Sequence, residues 1–277
     1  MKKIAFIGSG TMGGALATAV CREIDPAEVI VTDQDTDKAQ ALADRLGCGI
    51  VPDNKTAAAS AEFVVYCVKP QFLRPVLEET APCFAAAAAA GEHRVIVSIA
   101  AGVDVSTYID TMGLDTAATS VIRILPNTAC LIGKGFILIE EGQTYTPADE
   151  AEFRRLFRGA GGIDSLPASQ FVAGSVLTST SPAFIAMFAN SLADGGVYNG
   201  LLRPQARRLA LEGIRGTVEL LLTTDKHLEQ QKDEVCSPAG PAMIGVKSLE
   251  DSGFRSSVIN AVIIAYQRFA EMAKMAK

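Results

Sequence analysis

Three glycines near the start of the chain have the spacing of a phosphate-binding turn. The run Ile4-Ala5-Phe6-Ile7-Gly8-Ser9-Gly10-Thr11-Met12-Gly13-Gly14 carries G-x-G-x-x-G between a short apolar stretch and the alanine-rich segment 15–20. The apolar stretch reads as a buried strand and the alanine-rich one as a helix, the context that gives this motif its meaning. Gly8 permits the tight turn, Gly10 lets backbone approach a pyrophosphate, and Gly13 lets helix pack closely on strand. The helix N-terminus would then offer unpaired N–H groups and its positive dipole end to the phosphates, with Ser9, Thr11 and Met12 among the residues at the cofactor. The chemistry this predicts is dinucleotide binding.

Asp33, followed by Gln34 and Asp35, ends a second strand-like run, 28–33. A carboxylate there accepts from both hydroxyls of an adenosine ribose and repels a 2′-phosphate. No arginine sits at this turn and Lys38 is the nearest cation. The reading favours NADH over NADPH. The spacing from Gly8 to Asp33 is slightly longer than usual, so a plain turn residue is the other reading of Asp33. A third strand, 63–68, runs into Val68-Lys69-Pro70, where Lys69 can face phosphate, a carboxylate or solvent. After the candidate strand 120–124, Asn127 is placed to reach a nicotinamide amide, with Pro126 stiffening its loop.

These residues need a sheet whose strand ends converge. Through residue 164 strand-like and helix-like runs alternate, with further strands expected at 93–99 and 136–139. Such alternation implies an α/β domain with a mostly parallel sheet covered on both faces. A helix over 37–47 should stop at Gly47, and Ala85–Ala90 reads as a helix end without function. Beyond residue 164 strand-like runs cease and helices are expected at 170–199, 203–224 and 254–277. This sets two domains, 1–164 and 165–277. The last helix carries Val258, Ile259, Val262, Ile263, Ile264, Tyr266, Phe269 and Met272, apolar over most of its circumference. Such a helix implies full burial, which a second copy of the chain would supply; a self-contained bundle packed on the first domain is the other reading.

The bulk composition narrows the partners. A net charge of −6 argues against nucleic acid or an anionic membrane surface. With no stretch of about 20 purely apolar residues, no transmembrane helix is expected. Six cysteines and two histidines lack metal-site or disulfide-framework spacing, which reads as reduced thiols, no metal, and a cytoplasmic protein.

The segment Ser237-Pro238-Ala239-Gly240-Pro241-Ala242 is rich in turn residues. One reading is a helix N-terminus facing an anionic substrate group. The other is an inter-helix connection with Ser237 as N-cap and Pro238 at the first helical position. Taken with Gly8–Gly13, Asn54, Val68-Lys69-Pro70, Ser98–Gly102, Pro126-Asn127-Thr128 and Leu249–Arg255, this segment resembles the pyrroline-5-carboxylate reductases, over essentially the whole chain. The resemblance implies a Rossmann domain, an all-α dimerisation domain, and a homodimer that often assembles into a ring of dimers. It implies hydride transfer from NAD(P)H to the C=N carbon of 1-pyrroline-5-carboxylate, an imino acid, giving proline. It also implies that Ser237 and the backbone of 238–241 hold the substrate carboxylate.

The chain departs from the family where the substrate should sit. The family's Ser-Pro-Gly-Gly-x-Thr becomes Ser-Pro-Ala-Gly-Pro-Ala, so Ala242 lacks the expected hydroxyl and Pro241 lacks an N–H. Ser-Gly-Ser-Gly-Pro-Ala becomes Thr178-Ser179-Thr180-Ser181-Pro182-Ala183, and a Gln-Thr pair becomes Glu212-Gly213. A hydrogen bond to a charged group contributes about 1.5–3 kcal/mol, so one lost bond costs roughly ten- to a hundredfold in rate. Thr180 and Ser237 are the candidate replacement donors. A reductase of a related cyclic imine or carbonyl, and a non-catalytic dinucleotide-binding relative, are the alternatives.

Overall fold

A computed structural model describes residues 1–142 and 144–275. The last two residues, to which the sequence reading extends the final helix, lie outside the described residues. The chain forms β1 (Lys2–Ile7), α1 (Thr11–Val20), β2 (Val29–Thr32), α2 (Thr36–Leu46), β3 (Gly49–Ile50), α3 (Asn54–Ser60), β4 (Ala61–Tyr66) and α4 (Pro70–Ala89). There follow β5 (Arg94–Ser98), α5 (Val105–Met112), β6 (Thr119–Pro126), β7 (Gly135–Glu141), α6 (Pro147–Phe157), β8 (Gly161–Pro167) and α7 (Ala168–Ser175). The remainder is helical: α8 (Ser181–Tyr198), α9 (Arg203–Leu221), α10 (Leu228–Val235), α11 (Pro241–Asp251) and α12 (Phe254–Met275).

The strands make one sheet in the order β3-β2-β1-β4-β5-β6-β7-β8. Every pairing is parallel except β6 with β7. The period-two alternation of a strand explains why β1 is apolar throughout. Ile4 and Phe6 join a core with Leu16 and Phe157 on one face. Ala5 and Ile7 join a core with Leu77 and Tyr108 on the other. The order reverses at β1, which lies between β2 and β4, and open α/β sheets bind ligands at such a point.

Two compact units emerge, one of Met1–Thr180 with the chain from Ala265, the other of Ser181–Ile264. Strand β8 carries the sheet to Pro167, slightly past the expected end of strand-forming sequence. In the second unit Ala189, Ala193 and Ala206 are buried and Phe188 meets Phe254 at 5.9 Å between ring centroids. Leu192, Leu209, Val218 and Ile259 stay exposed. The helical run Ala168–Tyr198, interrupted by polar residues, is long and apolar enough to cross a membrane by length and composition alone.

Candidate active site

The loop after β1 is pinned from both neighbouring strands. Gly8 N–H donates to the Thr32 carbonyl at 2.8 Å, and Cys67 N–H donates to the Ile7 carbonyl at 2.8 Å. The three glycines of the motif do different work. Gly8 has φ +108°, and a Cβ there would lie 2.7 Å from the Cys67 carbonyl oxygen. A Cβ on Gly13 would overlap the Gly8 carbonyl oxygen and touch the Cys67 side chain at 3.0 Å. Gly10 meets nothing within 4 Å, so its α-carbon faces open space. It is the N-cap of α1 and has no side chain to cap the helix. The first N–H groups of α1 are therefore available to a ligand. Burial pushes the Cys67 thiol up, keeping it neutral beneath the loop.

This loop opens on a cavity of about 910 Å³. Gly8, Ser9, Gly10 and Thr11 line it together with Asp33, Gln34, Asn54, Val68 and Lys69. A loop without a Cβ at Gly8 and Gly10, opening on a cavity of this size at a helix N-terminus, fits the pyrophosphate of a dinucleotide. Asp33 is held rigidly: its Oδ2 accepts from Ser9 N–H at 2.6 Å and its Oδ1 from Asp35 N–H at 3.0 Å. Lys38 pairs with Asp35 at 2.7 Å, and this contact lowers the pKa of Asp35 and raises that of Lys38. Asn54 opens α3 and donates to Glu79 Oε2 at 2.8 Å.

Met12, Gly13 and Pro70 support this cavity without lining it: Pro70 begins α4, whose N-cap is Lys69. Asn127 does not line it either. Its Nδ2 donates to the Thr178 carbonyl at 2.9 Å, and its Oδ1 accepts from the N–H groups of Ala129 and Phe136 at 3.2 and 3.3 Å. Thr180, the candidate donor, ends a π-helical turn at Val176–Thr180. Sequence reasoning missed Arg45, Phe72, Val76 and Leu131, all on the cavity wall. Lys38, Ala41, Leu42 and Arg45 follow an i, i+3, i+4, i+7 stripe on α2. That periodicity was the available signal.

In the second unit, residues 237–240 form a tight turn closed by Gly240 N–H donating to the Ser237 carbonyl at 2.9 Å. Pro238 takes its second position and Ala239 its third, with φ +54°. That is the pattern of a type II turn, whose third position favours glycine. A Cβ on Gly240 would overlap the Ser237 hydroxyl. Helix α11 begins at Pro241 with Gly240 as N-cap, so the expected cap at Ser237 with Pro238 as first helical residue is corrected by three positions. The closed turn takes up residues 237–240 and delays the helix. Pro241 at the first helical position forfeits no intrahelical bond. Glu212 is spent on Arg215, at 2.6 Å. Among the described residues, no group of three His, Cys, Asp or Glu side chains could hold a metal ion.

A doubly wound sheet with a glycine cradle at its switch point, followed in the chain by helices, defines a Rossmann-type dinucleotide-binding protein. Residues 3–102 match the family described as "NADP oxidoreductase coenzyme F420-dependent". Residues 168–272 match "Pyrroline-5-carboxylate reductase dimerisation". The chain is 34% identical to pyrroline-5-carboxylate reductase of Synechocystis sp., over 98% of each chain. It is 31% identical to the Escherichia coli enzyme of that name, over 99% of each. The crystal structure of Plasmodium falciparum pyrroline carboxylate reductase with NADP bound superimposes with TM-score 0.85 at 26% identity, over 98% of each chain. This chain belongs to the pyrroline-5-carboxylate reductase family.

Proposed function

We propose that this protein reduces the C=N bond of 1-pyrroline-5-carboxylate to give proline, with NADH as the preferred hydride donor. The observation that carries the reading is the cradle of Gly8, Gly10 and Gly13 opening on a cavity at the switch point, in a chain similar along its length to enzymes named for this reaction. Backbone N–H groups of Thr11 and Met12 bind the pyrophosphate beside Ser9, whose own N–H is taken by Asp33. Asp33 and Asn54 bind the adenosine half, and Val68-Lys69-Pro70 borders the path to the nicotinamide. Bound there, the dinucleotide supplies the hydride that reduces the imine carbon.

The Ser237 hydroxyl and the Ala239 N–H hold the substrate carboxylate. Pro238 and Pro241 have no N–H to offer, and the Gly240 N–H closes the turn on the Ser237 carbonyl. The hydroxyl that Ala242 lacks is replaced by Thr180 or by Ser237 itself. No general acid is required if the imine binds protonated, because juxtaposition supplies most of the acceleration. The exposed apolar faces of α8, α9 and α12 are covered by a second copy, giving a homodimer that assembles further into a ring of dimers. Six unpaired thiols support a cytoplasmic site of action.

The preference for NADH rests on charge. A fixed carboxylate about 4 Å from a 2′-phosphate costs about 1–4 kcal/mol, depending on solvent exposure. Lys38, the nearest cation in the sequence, is already paired with Asp35, which leaves Arg45 on the cavity wall as the counter-charge a 2′-phosphate would have to reach. The test is oxidation of NADH and NADPH by the purified protein with pyrroline-5-carboxylate. Turnover with NADH the better donor is expected. Cofactor binding by calorimetry without turnover would overturn the reading. Ala242→Thr then separates the remaining cases: turnover gained only in that variant identifies a non-catalytic relative.

A further inference from the structure

The helical run from Ala168 to Tyr198 is broken by the π-turn at Val176–Thr180, and the cause can be read in the chain. In an α-helix through this stretch the Thr178 carbonyl would accept from the N–H of residue 182. That residue is Pro182, which has no N–H and whose ring crowds the carbonyl four residues back. A widened turn relieves the crowding, and Pro182 denies the Thr178 carbonyl its α-helical donor.

The donor comes from another element. Asn127, directly after β6, reaches the Thr178 carbonyl through Nδ2 at 2.9 Å. Its Oδ1 is held by the N–H groups of Ala129 and Phe136, and its own N–H donates to the Phe136 carbonyl at 3.2 Å. The amide is thus oriented from β7 and from the turn after β6, with Nδ2 aimed at Thr178. A second tie runs from the Ser179 hydroxyl to the Leu125 carbonyl at 3.4 Å. Both ties land at the C-terminal end of β6, one on its penultimate residue Leu125 and one on Asn127 just beyond it, at the ligand-binding edge of the sheet.

We infer that Asn127 is a positioning residue: it supplies the hydrogen bond that Pro182 denies to Thr178, and so fixes the turn that carries Thr180 against the end of β6. Its effect on turnover rests on the function proposed above; the clamp itself does not.

The test uses Asn127→Asp, which keeps both acceptor contacts but cannot donate to Thr178. Hydrogen exchange should speed up by about tenfold at the amides of residues 177–181, the loss of one hydrogen bond, with Ala129 and Phe136 unchanged. In the same variant kcat should fall by about tenfold while KM for the reduced dinucleotide stays within about twofold. Pro182→Ala restores the missing N–H, so adding Asn127→Asp to that background should change exchange and kcat by less than about twofold. If Asn127→Asp alone fails to fold while the double variant folds, the clamp is equally supported. Unchanged exchange at 177–181, or equal losses in both backgrounds, would overturn it. A wild-type protein inactive on pyrroline-5-carboxylate would count against the proposed function, while the exchange measurements would still decide the clamp.

Discussion

The Ser9 amide donates to Asp33 Oδ2 at 2.6 Å, so the residue expected to select the cofactor also holds the loop expected to bind its pyrophosphate. Charge and support can be separated by substitution. Asp33→Asn keeps an oxygen for Ser9 but removes the charge. It should raise the NADPH-to-NADH ratio of kcat/KM by about tenfold or more while leaving NADH binding nearly intact. Asp33→Ala also releases the loop, and should weaken both dinucleotides. An unchanged ratio in Asp33→Asn would remove the carboxylate from cofactor selection.

Ala239 adopts φ +54° at the third position of the Ser237–Gly240 turn. A left-handed conformation costs a residue with a Cβ about 1–2 kcal/mol, and glycine's extra freedom in the unfolded chain returns about 0.4–1 kcal/mol of that. Ala239→Gly should therefore stabilise the protein by about 0.5–1 kcal/mol, measured by urea unfolding at fixed protein concentration. A loss of stability would show that the alanine methyl contributes more by contact than its backbone costs.

Much of the first unit was legible in the sequence because its strands are buried on both faces and read as unbroken apolar runs. Gly47 caps α2 in the left-handed region, as its position suggested. Helix α4 was harder to see, since Pro75 and Pro82 lie inside it. Those prolines withhold donors from the carbonyls of Gln71 and Glu78, both on exposed residues where water can substitute. The loop carrying Asn127 was legible after its strand, but the partner of Asn127, Thr178, lies 51 residues away. No local pattern encodes such a contact. In the 237–242 segment the turn chemistry was visible, yet closure by Gly240 N–H moved the helix start beyond the first proline.

Acid stability should report two carboxylates on α6. The Arg155 guanidinium, and then Lys3, hold the pKa of Glu152 down to about 2. Burial pushes the Asp149 carboxyl up, but bonds from Thr146, Ser120 and His93 outweigh it and leave the pKa lowered. A group with a depressed folded pKa stabilises fully above its unfolded value and loses that contribution as pH falls through the folded one. Stability should therefore decline from about pH 4.5 toward pH 2, the span between the ordinary and folded values of Glu152. Glu152→Gln should cost less than about 1 kcal/mol at neutral pH and nothing at the acid end of that window. A cost independent of pH would assign the effect to packing.

Gly10 and Gly13 carry the same sequence signal and should fail in different ways. A methyl group at Gly13 overlaps the Gly8 carbonyl oxygen and presses on the Cys67 side chain. Backbone must move to admit it, and overpacking of this kind costs about 1–3 kcal/mol. Gly13→Ala should therefore lower stability and dinucleotide affinity together. A methyl group at Gly10 meets no protein atom within 4 Å. Gly10→Ala should leave urea stability within about 0.5 kcal/mol of the wild type. It should weaken NADH binding by about tenfold or more, because the methyl occupies the space through which backbone approaches the pyrophosphate. Calorimetric titration of the two variants beside their unfolding curves decides the matter. If Gly10→Ala binds NADH as tightly as the wild type, the pyrophosphate does not rest on this loop, and the cavity would have to be reassigned.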